Sequence, residues 1–157
     1  MKLQCRRHTS FSLMEVTIAL GVAAICLIGI FGLLPIGLQT DQNATEQSRA
    51  LGISSVVIAD LRATPGSGSG TSPQLGISIP VPSASSVSAA PLYFNSEGQS
   101  STSLIGQSRY RVSITFPANS TGGRVATWVS LKITWPAGAS PTDATGALQT
   151  FTALDRN

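Results

Sequence analysis

Apolar positions fall into three regimes along the chain. Residues 16–38 read VTIALGVAAICLIGIFGLLPIGL, an apolar run in which Thr17 is the only clear hydrogen-bonding side chain. About 20 such residues cross a bilayer core as a helix, so the run predicts a membrane-spanning helix. From residue 40 the pattern changes. Ala50, Ile53, Val57 and Leu61 recur at helical spacing among polar residues, which predicts a helix with one apolar face. Thr40 or Asp41 is a candidate cap for its start, Arg62 suits its end, and Thr64-Pro65-Gly66 stops it. The two runs together predict one helix from near Phe11 to near Ala63, with a break at Pro35, where proline removes a backbone donor. At 1.5 Å per residue its length would be about 80 Å.

The third regime has period two. Tyr110, Val112, Ile114 and Phe116 alternate with Arg111, Ser113 and Thr115, and after a turn over 117–123 the alternation resumes from Val125 to Trp135. This predicts a β-hairpin. Residues 147–154 supply a last strand, and 75–81, 92–95 and 102–105 are shorter candidates. The stretches 65–74, 80–91 and 136–146, rich in Gly, Ser, Pro and Ala, read as loops. One antiparallel sheet with an apolar face laid on the helix is the natural solution. The expected class is α+β, in four parts: a basic leader over 1–10, the transmembrane half of a long helix over 11–38, the outer half over 39–64, and a β-rich head over 65–157.

Charge sharpens this picture. The formal net charge is +3, and Lys2, Arg6 and Arg7 account for all of it. From Phe11 onward seven basic residues meet seven acidic ones. A neutral remainder exerts little pull on phosphates, so no nucleic-acid partner is expected. The basic tip precedes the apolar run while Asp41 and Glu46 follow it. The positive-inside rule then places Met1 in the cytoplasm and the head outside. Cys5 and Cys26 would lie at different membrane depths, so a disulfide between them is not expected.

Catalytic chemistry is thin. The single histidine, His8, lies in the leader, which leaves no Ser-His-Asp or Cys-His set for the head. No metal-ligand spacing occurs, and Asp143 alone in a loop is too little for calcium. No enzyme, cofactor or metal is expected. Phe116 and Trp135 read as core. Trp128 falls on the opposite face, as either a partner contact or a plain surface aromatic. Arg109, Arg111 and Arg124 read as a solvated basic rim, and Asn119-Ser120-Thr121 matches a glycosylation acceptor only formally.

By length and charge alone the N-terminus would suit a signal peptide or a plain signal anchor, although the apolar run is long for the former and residues 37–40 make a poor cleavage site. The sequence Ser10-Phe11-Ser12-Leu13-Met14-Glu15-Val16-Thr17-Ile18-Ala19-Leu20 distinguishes a third case. It resembles the class III signal of type IV pilins and type II secretion pseudopilins. The resemblance implies a prepilin peptidase that cuts between Ser10 and Phe11 and methylates the new amine. It implies that Glu15, fifth in the mature chain, pairs with the free N-terminus of a neighbouring subunit as filaments assemble. Otherwise Glu15 would simply reach the headgroups. Ser10 stands where the family prefers glycine. Pro35 sits where the family carries helix breakers. The run Val16-Thr17-Ile18-Ala19-Leu20-Gly21-Val22 followed by Phe31-Gly32-Leu33-Leu34-Pro35-Ile36-Gly37-Leu38, with Ile58-Ala59-Asp60-Leu61-Arg62, also resembles the pilin-like group called Verru_Chthon cassette protein B. The implied partners are the peptidase, other pilin-like subunits and the inner membrane. The competing expectation is an anchored binding module that never polymerises.

Overall fold

The computed structural model describes residues 12–64, 69–81, 83–119 and 126–155. Ser10, Phe11, the leader, Arg124 and the tip of the predicted hairpin turn lie outside the described residues. One helix, α1 (Leu13–Arg62), precedes eight strands: β1 (Gly70–Thr71), β2 (Ser78–Ile79), β3 (Val87–Ser88), β4 (Leu92–Phe94), β5 (Ser100–Ser101), β6 (Tyr110–Phe116), β7 (Thr127–Trp135) and β8 (Gly146–Leu154). The chain divides into two compact units, Met1–Ala44 and Thr45–Asn157.

In the first unit every described residue is exposed, and its large apolar side chains range from Leu13 at 84% to Val16 at 45%. This is the one described helix long and apolar enough to cross a membrane. The predicted break at Pro35 does not occur, because α1 runs through it as a continuous helix. Proline deletes a single donor and strains one turn, and the hydrogen bonds on either side persist. With no second helix start, Thr40 and Asp41 cap nothing. Instead the Thr40 hydroxyl donates backwards to the Ile36 carbonyl at 2.9 Å.

In the second unit α1 buries one face. Ala50, Ile53, Val57 and Leu61 all join the core, as their spacing predicts. The helix ends where Ala63 N–H bonds the Ala59 carbonyl at 3.0 Å. Below it lies a six-stranded antiparallel sheet in the order β5-β4-β6-β7-β8, with β3 also paired to β6. β4 pairs with β6 around Val112 and β3 pairs with it around Phe116, so two short strands share one edge of a long one. The predicted hairpin is β6–β7, in a register that sets Val112 against Ile133 and Ile114 against Leu131. These side chains face α1, as do Tyr110, Phe116 and Val129. β8 continues the sheet along its full length, from Thr127↔Leu154 to Trp135↔Gly146. Gly146 is needed there, since a Cβ would lie 2.3 Å from the Trp135 ring.

Other short-strand expectations fare less well. Of residues 75–81 only Ser78–Ile79 is a strand, paired to Gly70–Thr71 inside the predicted loop 65–74. Residues 102–105 form no strand; β5 precedes them, and Leu104 and Ile105 stay half exposed. The stretch 80–91, predicted as loop, contributes β3.

Candidate functional site

Glu15 sits in the first turn of α1, where its N–H bonds the Ser12 carbonyl at 3.0 Å. A carboxylate there is favoured by the helix dipole. It makes no ion pair among the described residues. The next acidic residue is Asp41, so across the apolar run the exposed helix carries this charge alone. Pro35 lies inside α1, twenty residues further on by sequence number. Ser10 and Phe11, the predicted processing residues, lie outside the described residues.

The head contains two polar clusters that the sequence pattern does not reveal. At the start of its helical segment, Glu46 accepts hydrogen bonds from Arg109 Nε at 2.9 Å and Nη2 at 2.6 Å. The Tyr110 hydroxyl donates to its other oxygen. Burial pushes the Glu46 carboxyl up, but the bonds from Arg109 and Tyr110 and the charges of Arg109 and Arg49 outweigh it and hold the group below its ordinary range. Arg109 is raised, first by its bond to Glu46. Tyr110 is pushed up to about 12 by burial and by the Glu46 carboxylate. The cluster thus fixes the charge states Glu⁻, Arg⁺ and neutral Tyr, and ties α1 to the start of β6. Arg109 keeps about half of its side chain in solvent while it pairs with Glu46, 51% exposed, and Arg111 lies over the Tyr93 ring, 5.6 Å from its centroid.

Asp60 is the second cluster. It is buried, and its carboxylate accepts the Gln74 N–H at 2.9 Å and the Leu75 N–H at 3.0 Å. Ser72 continues the arrangement by accepting the Ile77 N–H at 2.9 Å. Two backbone donors replace the water that Asp60 loses. Its position three residues after Val57, on the buried stripe, is the signal that could have found it.

A cavity of about 220 Å³ opens between α1 and the β4–β5 turn. Gly52, Ile53, Val56, Phe94 and Tyr110 line it, with Arg49 and Glu97 also bordering it. The turn is held by Asn95, whose side-chain oxygen accepts the N–H groups of Glu97 and Gln99. Gly98 completes the turn at φ +84°, a conformation that favours glycine. On the opposite face of the sheet Trp128 and Phe151 are 50% and 67% exposed. Among the described residues no group of three His, Cys, Asp or Glu side chains gathers to hold a metal. No protein-family model matches the chain, and no curated protein and no solved structure matches it either.

Proposed function

We propose that the chain is a structural subunit, a minor pilin or pseudopilin, of a type IV pilus-like or type II secretion filament. A prepilin peptidase cuts before Phe11, the head lies on the periplasmic side, and subunits join by helix packing with Glu15 against a neighbouring N-terminus. The observation that carries this reading is the first stretch of α1. It is apolar on every side, wholly exposed, and charged only at Glu15 before Asp41. A helix apolar all round needs apolar surroundings, which a bilayer supplies before assembly and neighbouring helices supply after it. Intramembrane carboxylates are costly and mark functional positions.

Mass spectrometry of the membrane-extracted protein tests processing: a mature chain beginning at Phe11 is expected, and an intact leader overturns the reading. In a host that assembles the filament, Glu15→Ala should lower filament yield at least tenfold while membrane levels hold steady.

The cavity in the head favours one rival, an anchored module that binds a ligand and stays monomeric. It predicts no cleavage at Phe11 and no effect of Glu15→Ala.

A further inference from the structure

The face of the sheet away from α1 has a charge pattern of its own. Alternation along β6, β7 and β8 sends Arg111, Lys132, Gln149 and Phe151 to that side. Arg111 and Lys132 are its cations, and the strands place no carboxylate on it. Asp143 lies in the loop before β8, where the Ser140 hydroxyl donates to it at 2.6 Å, and Asp155 follows β8. Neither cation forms a salt bridge among the described residues. Lys132 reaches only the Pro141 carbonyl, at 3.4 Å. The Arg111 guanidinium lies over the Tyr93 ring, and its Nε is buried without a partner. Thr134, directly across from Arg111 on β7, buries an unpartnered hydroxyl. Buried polar groups are ordinarily bonded, so hydrogen-bonding capacity goes unused beside both cations.

The rest of the face is aromatic and hydroxylic. The register sets Trp128 against Ala153 and Ser130 against Phe151. The two exposed rings are therefore diagonal neighbours, about 7–8 Å apart. Ser113, Ser130 and Gln149 fill the ground between rings and cations. A protein partner fits this surface poorly, because the centre of a protein interface is depleted of charge and Lys132 stands in the middle here. A polynucleotide carries a charge on every residue and is held by many cations, whereas this face offers two. A sugar polymer meets each element. Aromatic rings present a negative face to the polarised C–H groups of a pyranose, and serine and glutamine side chains both donate to and accept from its hydroxyls. The unpaired cations select a polymer that carries carboxylates, which an arginine fork binds with two parallel bonds.

We propose that this face binds an acidic polysaccharide, with pyranose rings on Trp128 and Phe151 and a sugar carboxylate between Arg111 and Lys132. The two cations are themselves diagonal neighbours, since Arg111 faces Thr134 and Ser113 faces Lys132, and their long side chains can converge on one anion. The proposal goes beyond the filament reading and does not depend on it. A head offers the same face on a filament or on an anchored monomer.

The test uses full-length chain in detergent and immobilised polygalacturonate, with the methyl ester of the same polymer as the uncharged comparison. The acid form should retain the protein, and the ester should bind about tenfold more weakly through loss of a charge-assisted bond. Lys132→Gln should weaken binding of the acid form by a similar factor. Trp128→Ala and Phe151→Ala should each weaken it about tenfold as well. Both rings stand exposed on the sheet, so melting temperatures should not move. Arg62→Gln removes one cation from the α1 side, where Arg62 bonds Thr152, and should leave binding unchanged. Failure to retain polygalacturonate overturns the proposal. So does equal binding of acid and ester, or binding indifferent to both aromatic changes. Equal or tighter binding of polyglutamate or of oligothymidylate also overturns it, as the mark of a site for charge alone or for a polynucleotide. None of these results bears on whether the chain begins at Phe11, so the filament reading stands or falls separately.

Discussion

Residues 13–44 and 45–62 belong to one helix, yet only the second stretch has a partner. The first is the more apolar, and all of its described residues are exposed. The second is mixed, and it buries Ala50, Ile53, Val57 and Leu61 against the sheet. Apolarity by itself therefore does not place a side chain in a core. What does is spacing that gathers apolar groups on one face, with polar groups left for water on the other. The first stretch has no polar face to offer, so its burial must come from outside the chain.

Substitutions can break this contrast directly. Leu61→Ala should cost the head about 2–5 kcal/mol through the cavity it leaves, whereas Leu34→Ala in the exposed stretch should stay within about 0.5 kcal/mol. Urea unfolding followed by tryptophan fluorescence reports on the head alone, since Trp128 and Trp135 both lie there. A similar loss from both variants would erase the distinction. Asp60→Asn comes next. It turns an amide donor towards one of two backbone N–H groups and should cost about 1–3 kcal/mol in the same assay.

Smaller effects come from the cluster where the stretches meet in sequence. Glu46→Gln should cost about 1 kcal/mol, a modest figure because the Arg109 side chain is 51% exposed to screening solvent. The Glu46 pKa is lowered in the folded state. Its contribution is therefore present above the ordinary value of 4.5 and lost as pH falls through the lower folded value. Tyr110 works in the other direction. Its folded pKa is raised from 10.0 to about 12, so stability falls as pH rises across that interval. In pH-dependent unfolding, Glu46→Gln should remove the acid loss and Tyr110→Phe the alkaline one. Pro35→Ala should be smallest of all, leaving head stability within about 0.5 kcal/mol.

Features with a long repeat were legible in the sequence. The stripe through Ala50, Ile53, Val57 and Leu61 and the alternation through β6 and β7 each repeat often enough to fix helix, strand and buried face. Two-residue strands such as β3 and β5 contain no period, and neighbours distant in the chain decide where they form. The same limit hid the polar clusters. Glu46 meets Tyr110 across 64 positions, and nothing local to either residue announces the other. Pro35 misled for a different reason. Proline and the nearby Gly29, Gly32 and Gly37 all weaken a helix locally, yet one lost donor does not end a helix whose other turns stay bonded, and α1 runs through. The processing motif at Ser10 and Phe11 remains a reading of sequence alone.

The unequal edges of the sheet carry a last consequence. On one side β3 and β5 are two residues long, and short edge strands are poor templates for another chain. On the other side β8 presents nine residues without proline or charge, the kind of edge that invites a foreign strand. Edge pairing can thus join two heads and then stops, because each head has spent its one open side. Crowded heads should therefore accumulate as pairs, and the blunt edge keeps them from growing into amyloid-like ribbons.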